Sequence, residues 1–242
     1  TPAGLQEPLN AIVRKLAVIT VHHLNNSRSQ RVLWLLEELE LPYEIQRYKR
    51  NPETMLAPAS LRAVHPLGKS PVITDGDRVV AESGAIIEYL VERHGHGRLI
   101  PPAGTDDHLK YRYWLHFAEG SAMPPLLLKL VFDKIERTPM PFFVKPVAQR
   151  ISHSVKSRFI VPQLAAQMEY MESTLARSPW FAGETFSAAD IQMSFPLEAA
   201  AARGGLDVRY PALRTFLETV HARPAYARAL ARGGPYEIVG GD

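Results

Sequence analysis

The stretch that most limits the fold is Gly68-Lys69-Ser70-Pro71-Val72-Ile73-Thr74, followed after a turn by Val79-Val80-Ala81-Glu82-Ser83-Gly84-Ala85. The first segment reads as a strand opened by a proline, the second as its hairpin partner running into a helix. Proline has no N–H to give to a ladder, so Pro71 belongs at a strand start or edge. If the Ser70–Pro71 bond is cis, the bend points the backbone groups of Ser70 outward. Glu82 and Ser83 then stand at the mouth of the next helix, where unpaired N–H groups favour a carboxylate. A ligand spanning both sites meets an extended backbone edge, an anion site and an acidic side chain. That combination suits a short peptide with one ammonium and at least one carboxylate.

Periodicity supplies the elements on either side. Leu16-Ala17-Val18-Ile19-Thr20-Val21 is β-branched and reads as a buried strand. His22 to Ser27 is polar, and its end, Asn25-Asn26-Ser27, signals a helix start. The helix is expected from about Arg28 to Leu39, with Val32, Leu33, Leu36 and Leu39 at helical spacing. Tyr43 to Tyr48 alternates as a second strand, and a strand–helix–strand unit of this length closes as a right-handed parallel crossover. A proline-rich stretch follows, with room for at most a short helix. The hairpin is then Pro71–Thr74, an Asp75-Gly76 turn and Arg78–Ala81, and a helix runs from Ser83 to His94.

Pro101-Pro102-Ala103-Gly104 marks a linker, and no credible strand follows it. A helical tract from Asp106 to about Arg137 is interrupted near Met123-Pro124-Pro125, and a second, from about Val147 to Ala176, bends near Pro162. Ser187 and Asp190 form a capping signal for a helix reaching Ala202, and the last helices are Pro211–Ala222 and Pro224–Ala231. The expected plan is a leader over 1–15, a small α/β domain over 16–96, a linker over 97–105 and an all-helical domain over 106–235.

At 242 residues the chain has room for one large domain or two small ones. Its 28 basic and 25 acidic side chains leave +3, too little to imply nucleic acid. With no cysteine, disulfides, thiolate metal sites and a protein-borne thiol nucleophile are excluded, and a reducing cytosol fits. No apolar run approaches the roughly 18–20 residues that span a bilayer, and the N-terminus has no secretory pattern.

Four motifs in this order and spacing resemble the glutathione transferases: His22-His23-Leu24-Asn25-Asn26-Ser27-Arg28, His65-Pro66-Leu67-Gly68-Lys69-Ser70-Pro71, Glu82-Ser83 and the box from Ser187 to Asp190. The resemblance covers residues 16 to about 232 and implies a thioredoxin-like α/β domain joined to an all-α domain. Within the family the chain looks most like the bacterial and fungal branch with a His-rich loop after the first strand. The implied activity is activation of the glutathione thiolate for attack on an electrophilic small molecule, with glutathione as co-substrate and no metal. Alternatives on the same fold are a glutathione-dependent peroxidase or disulfide reductase, and a glutathione-binding protein without turnover. The implied setting is a cytoplasmic homodimer with no nucleic-acid or membrane partner.

The chemistry sets a requirement. A free thiol of this kind has a pKa of about 8.5, and lowering it by about two units takes roughly 2.7 kcal/mol. A helix N-terminus with one or two aimed donors can supply that. Asn26 sits where serine-type transferases carry their hydroxyl, and Ser27 is the nearest residue of that type. Both are candidates, and both also suit plain helix capping. By resemblance, Ser70 after the bend at Pro71 pairs its backbone with the cysteinyl residue of glutathione. Glu82 faces the γ-glutamyl ammonium, Ser83 holds that residue's carboxylate through its N–H and hydroxyl, and Lys69 is best placed for the glycyl carboxylate. Tyr113 and Phe117, one turn apart, are expected to line the second-substrate site. His22 and His23 lack a third metal ligand nearby and read as strand-end histidines. Trp34, Trp114 and Trp180 read as core or interface residues. The acid-free run from Arg137 to Met168, with Lys145, Arg150, Lys156 and Arg158, reads as a solvated face, or as a surface toward an anionic electrophile or a partner's acids.

Overall fold

The computed structural model describes residues 18–54, 56–203, 205–234 and 236. The expected leader lies outside them, as do residues 16 and 17 of the first expected strand. Strands β1 (Ile19–Leu24), β2 (Tyr43–Tyr48), β3 (Val72–Asp75) and β4 (Arg78–Ala81) form one sheet in the order β2-β1-β3-β4. β1 pairs parallel with β2 from Ile19↔Tyr43 to Leu24↔Tyr48, and antiparallel with β3 through Val21↔Ile73. Helix α1 (Ser29–Glu38) is the crossover between β1 and β2, α2 (Ala59–Val64) is the short helix before β3, and α3 (Ser83–His94) follows β4.

Two expectations about this half are corrected. The first strand runs through His22 and His23, because β2 offers Gln46, Arg47 and Tyr48 as partners for His22, His23 and Leu24. The histidines stand near the end of the strand, as read, and not in a loop after it, and the expected strand end at Val21 moves to Leu24. The hairpin turn is Gly76-Asp77, not Asp75-Gly76, and Asp75 pairs with Arg78 inside the ladder. Gly76 takes φ 59°, as a two-residue hairpin loop requires. Asp75 is drawn into the strand because its carboxylate accepts the Tyr89 hydroxyl at 2.6 Å and pairs with His94 Nε2 at 2.9 Å. Burial works to raise that carboxyl, and these two partners outweigh it and hold it below its usual range.

After α3 the described chain holds no strand, only the isolated bridge between Trp180 and Gly183, and its helices are α4 (Asp106–Phe117), α5 (Met123–Arg137), α6 (Lys145–Val155), α7 (Val161–Leu175), α8 (Ala188–Ala202), α9 (Pro211–His221) and α10 (Pro224–Gly233). Neither long tract is broken at its prolines. Each passes through one wide π-type turn just upstream, Ala118–Ala122 before Pro124-Pro125 and Lys156–Ile160 before Pro162. A proline ring clashes with the carbonyl four residues earlier and leaves it without a donor, which falls within these two turns.

Helix α1 is the centre of the molecule. Val32, Leu33, Trp34, Leu35 and Leu36 are all fully buried, so the helix is enclosed on every side and has no solvent face at its middle. It packs on β1, α3, α8 and α10. At its C-terminal end Glu38 takes Arg223 at 2.6 and 2.9 Å, while Glu37 accepts from Tyr43 and Arg228, each at 2.8 Å. Those arginines fasten α10 to α1. Trp114 is buried like Trp34, and Trp180 packs partly buried against the same core.

Helix α8 is buried along its length from Ala188 to Ala200 and opens with the capping box. Asp190 accepts the N–H of Ser187 at 2.8 Å and, from a loop nine residues upstream, the N–H of Phe181 at 2.9 Å. Burial outweighs these bonds and pushes its carboxyl up to about 6. Asp190→Ala leaves two buried N–H groups unpaired and is expected to cost about 2–5 kcal/mol in urea unfolding. A folded carboxyl raised from 3.8 to about 6 adds stability that is complete below 3.8 and lost as pH rises through 6. Asp190→Asn is expected to flatten the stability profile between those values. An unchanged profile would show that Asp190 is not the titrating group.

Candidate functional site

The bend before β3 and the start of α3 face each other across the end of the sheet. The Ser70–Pro71 peptide is cis, Pro71 immediately precedes β3, and Glu82 precedes α3 with φ 71°. A non-glycine residue held there stores about 1–3 kcal/mol, and such outliers collect at ligand sites. Between them lies a cavity of about 300 Å³ lined by Lys69, Ser70, Pro71, Glu82 and Ser83 together with Arg28, His65, Leu67, Ala81 and Glu119. All five residues expected to bind a peptide therefore share one cavity. Its cations are Lys69 and Arg28, its carboxylates Glu82 and Glu119.

Arg31 organises one wall. It stands in the first turns of α1, its side chain is 1% exposed, and Nη1 donates to the Gln192 carbonyl in α8 at 2.6 Å. Nη2 reaches Ser83 Oγ at 3.3 Å and forms a short ion pair with Glu119, which lies in the wide turn after α4. Arg28 joins the same carboxylate from Nε at 3.0 Å. Both guanidiniums lie over the Phe195 ring, at 5.0 Å for Arg31 and 5.3 Å for Arg28. Burial works to raise the Glu119 carboxyl, and the charges of Arg31 and Arg28 outweigh it and hold it below its usual range.

That network changes the part Ser83 can play. Its hydroxyl accepts from Arg31 and Gln192 and donates to Glu119, all at 3.3 Å, and the residue is 3% exposed. The hydroxyl expected to hold a ligand carboxylate is occupied inside the protein. The N–H groups of the first turn of α3 still have no acceptor within the helix.

A second chain of bonds runs under the loop between β1 and α1. Burial first, and then Arg47, push the His23 imidazole down to about 4, so it is neutral at pH 7. One ring nitrogen gives its proton to the Gly233 carbonyl, which leaves Nδ1 as an acceptor. Ser29 Oγ donates to that Nδ1 at 2.7 Å and accepts from Ser27 Oγ at 2.7 Å. Ser27 is 4% exposed, does not line the cavity, and lies behind Ser70 with 3.3 Å between hydroxyls. Asn26 is half-buried at φ 50° and is not among the lining residues either. Helix α1 has no acid of its own in its first turn, and the Glu119 carboxylate that approaches it is paired with Arg28 and Arg31.

Tyr113 and Phe117 are not brought to this cavity. They stack on each other at 5.7 Å and pack with Trp114 and Tyr170 between α4 and α7. Sequence reasoning also missed Arg31, Glu119 and Gln192. Arg31 left one signal, a charge one residue ahead of the fully apolar run Val32–Leu36. Glu119 left none, because only the wide turn after α4 aims it inward. Among the described residues, no group of three or more His, Asp or Glu side chains is placed to hold a metal, and no helix is long and apolar enough to cross a membrane.

Comparison with known proteins follows the same lines. Residues 27–93 match the family model for the N-terminal domain of glutathione S-transferase, and residues 160–224 match that for its C-terminal domain. Glutathione S-transferase 3 of Schizosaccharomyces pombe is 36% identical over 208 residues, 86% of this chain and 85% of its own. Glutathione S-transferase 1 of Saccharomyces cerevisiae is 33% identical over 220 residues, 88% of this chain and 94% of its own. A crystal structure of a glutathione S-transferase from Actinobacillus pleuropneumoniae superposes with a TM-score of 0.73 at 32% identity, covering 91% of this chain and 95% of that one.

Glu119→Gln strips the nearest counter-charge from a buried guanidinium, and is expected to cost about 2–4 kcal/mol in urea unfolding at neutral pH. With its folded carboxyl held below 4.5, Glu119 contributes stability above that value and loses it as pH falls. The gap between wild type and variant is expected to narrow as the pH is lowered from neutral to well below 4.5. A gap of the same size at both pH values would rule out the ion pair as its source.

Proposed function

Because the chain belongs to the glutathione transferase family, we propose that it binds glutathione in the cavity between Ser70 and Ser83 and activates its thiol for attack on an electrophilic small molecule. The observation that carries this reading is the meeting of Lys69, Ser70, Pro71, Glu82 and Ser83 around one cavity. Each supplies a group that the tripeptide needs. The backbone of Ser70, beside the bend at Pro71, takes the cysteinyl residue as an added strand. Glu82 accepts the γ-glutamyl ammonium, the open N–H groups at Ser83 take its carboxylate, and Lys69 takes the glycyl carboxylate.

Held so, the sulfur rests beside the N-terminal end of α1. There the helix dipole and a side-chain donor favour the thiolate, and the thiol proton leaves to solvent. The thiolate forms a sulfur–carbon bond, and the leaving group departs with the electron pair of the bond it breaks. Of the two candidate donors we assign Asn26. The Ser27 hydroxyl spends its proton on Ser29, so Ser27 braces the loop from below. The functional unit is a homodimer, a reading supported by the apolar side chains that α5 and α6 leave in solvent, among them Leu127, Val131, Val147 and Ile151, and the absence of cysteine fits the cytoplasm as its setting.

Calorimetric titration is expected to show glutathione binding that Glu82→Ala weakens about 10-fold or more. Unchanged affinity would remove Glu82 from the site. The ultraviolet thiolate band of bound glutathione is expected to titrate below about pH 8, to rise by about one unit in Asn26→Ala, and to stay in place in Ser27→Ala. The reverse pattern would exchange the two roles. Conjugation of an aryl halide is the expected activity, and turnover of disulfides or hydroperoxides alone would refute the transferase assignment. Sedimentation equilibrium is expected to return twice the chain mass, and a monomer would refute the dimer.

A further inference from the structure

The turn between α5 and α6 carries its largest side chains outward. Phe142 is 87% exposed and Phe143 68%, and their rings meet edge to face at 5.5 Å. Each touches little of the described chain besides the other. Val144 follows, also exposed, and Pro139, Pro141 and Pro146 stiffen the chain around the pair. Apolar side chains held out together in this way mark a contact surface.

The charge around this tip is one-sided. Between Lys129 and Arg158 the chain has seven basic and two acidic side chains, a local +5. The whole chain carries +3, so the remainder carries −2. Both local acids are already in use. Asp133 takes Lys129 at 2.7 Å and Lys156 at 2.9 Å, and Glu136 takes Lys156 at 2.7 Å. Among the described residues no ion pair reaches Lys134 and Arg137 in the last turn of α5, or Lys145 and Arg150 in the first two turns of α6. All four are exposed, and they flank the two rings from either side along the chain.

These features select among occupants. A two-fold contact sets a patch against itself, so a second copy at the tip would bring the same cations together. Val147 and Ile151, farther along α6, stay with the dimer surface. A soluble polyanion satisfies the cations and leaves both rings in water. An anionic lipid surface meets both needs, with negative headgroups for the cations and an acyl boundary for the rings.

We infer that the tip from Phe142 to Lys145 docks on a membrane surface rich in anionic lipid, with both rings in the headgroup layer and Lys134, Arg137, Lys145 and Arg150 against the phosphates. The contact is peripheral, and it departs from the expectation of no membrane partner. It stands apart from the glutathione reading, because none of these residues lines that cavity.

The test sediments the full chain with vesicles of phosphatidylcholine, alone or with about 30% phosphatidylserine. At about 0.05 M salt the mixed vesicles are expected to bind about 10-fold more tightly or better, and to lose that advantage at about 0.5 M. Phe142→Ser with Phe143→Ser is expected to weaken binding about 10-fold or more, and Lys145→Gln with Arg150→Gln by about the same factor. Both variants are expected to keep the affinity for glutathione and the oligomeric state of wild type. Equal binding of wild type to the two kinds of vesicle, or a serine variant that binds as wild type does, overturns the inference. A serine variant that dissociates to monomers assigns the tip to the subunit contact and also overturns it. Binding of polyglutamate as tight as that of the mixed vesicles, and lost in the serine variant, would make the partner an acidic protein and overturn the lipid assignment.

Discussion

The structure turns on one buried guanidinium. Arg31 sits in the helix at the centre of the molecule, with its side chain withdrawn from water and its charge met by Glu119. An isolated charge at that depth is not tolerable, so the α/β half is stable only when Glu119 and the Gln192 carbonyl of the helical half are in place. The same guanidinium reaches the Ser83 hydroxyl at the mouth of α3. One set of bonds therefore links the docking of the two halves to the shape of the cavity, beside the arginines that fasten α10 to α1.

This arrangement explains why the pocket can be polar and still rigid. Ser83 and Glu119 both face the cavity, and each is held from behind by a partner that is itself packed. On the loop side Ser27 is tied through Ser29 to His23, and His23 to the end of α10. A loop fixed at its base keeps its position relative to the start of α1. The helical half thus contributes to the site without offering a reacting group of its own.

The family likeness and the geometry address different questions. Family membership follows from relatives that match along most of their length, and the fold follows with it. The cavity's charges are set by neighbours distant in the chain, as Arg31 and Glu119 show. Fold alone does not decide them.

Much of the architecture was legible because short-range chemistry carried it. The run Tyr43–Tyr48, the helix opened by Ser83 and the box at Ser187 and Asp190 each depend on residues within a few positions of one another. The segments that meet at the cavity, Lys69 to Pro71 and Glu82 to Ser83, were legible for the same reason. A proline without an N–H and a helix start declare themselves locally. What the chain alone could not disclose is where charges and protons end up. Arg31 finds its counter-charge 88 residues away, and Ser27 turns its hydroxyl inward because of a histidine in the neighbouring strand. Those outcomes depend on burial, and burial exists only once the two halves have packed.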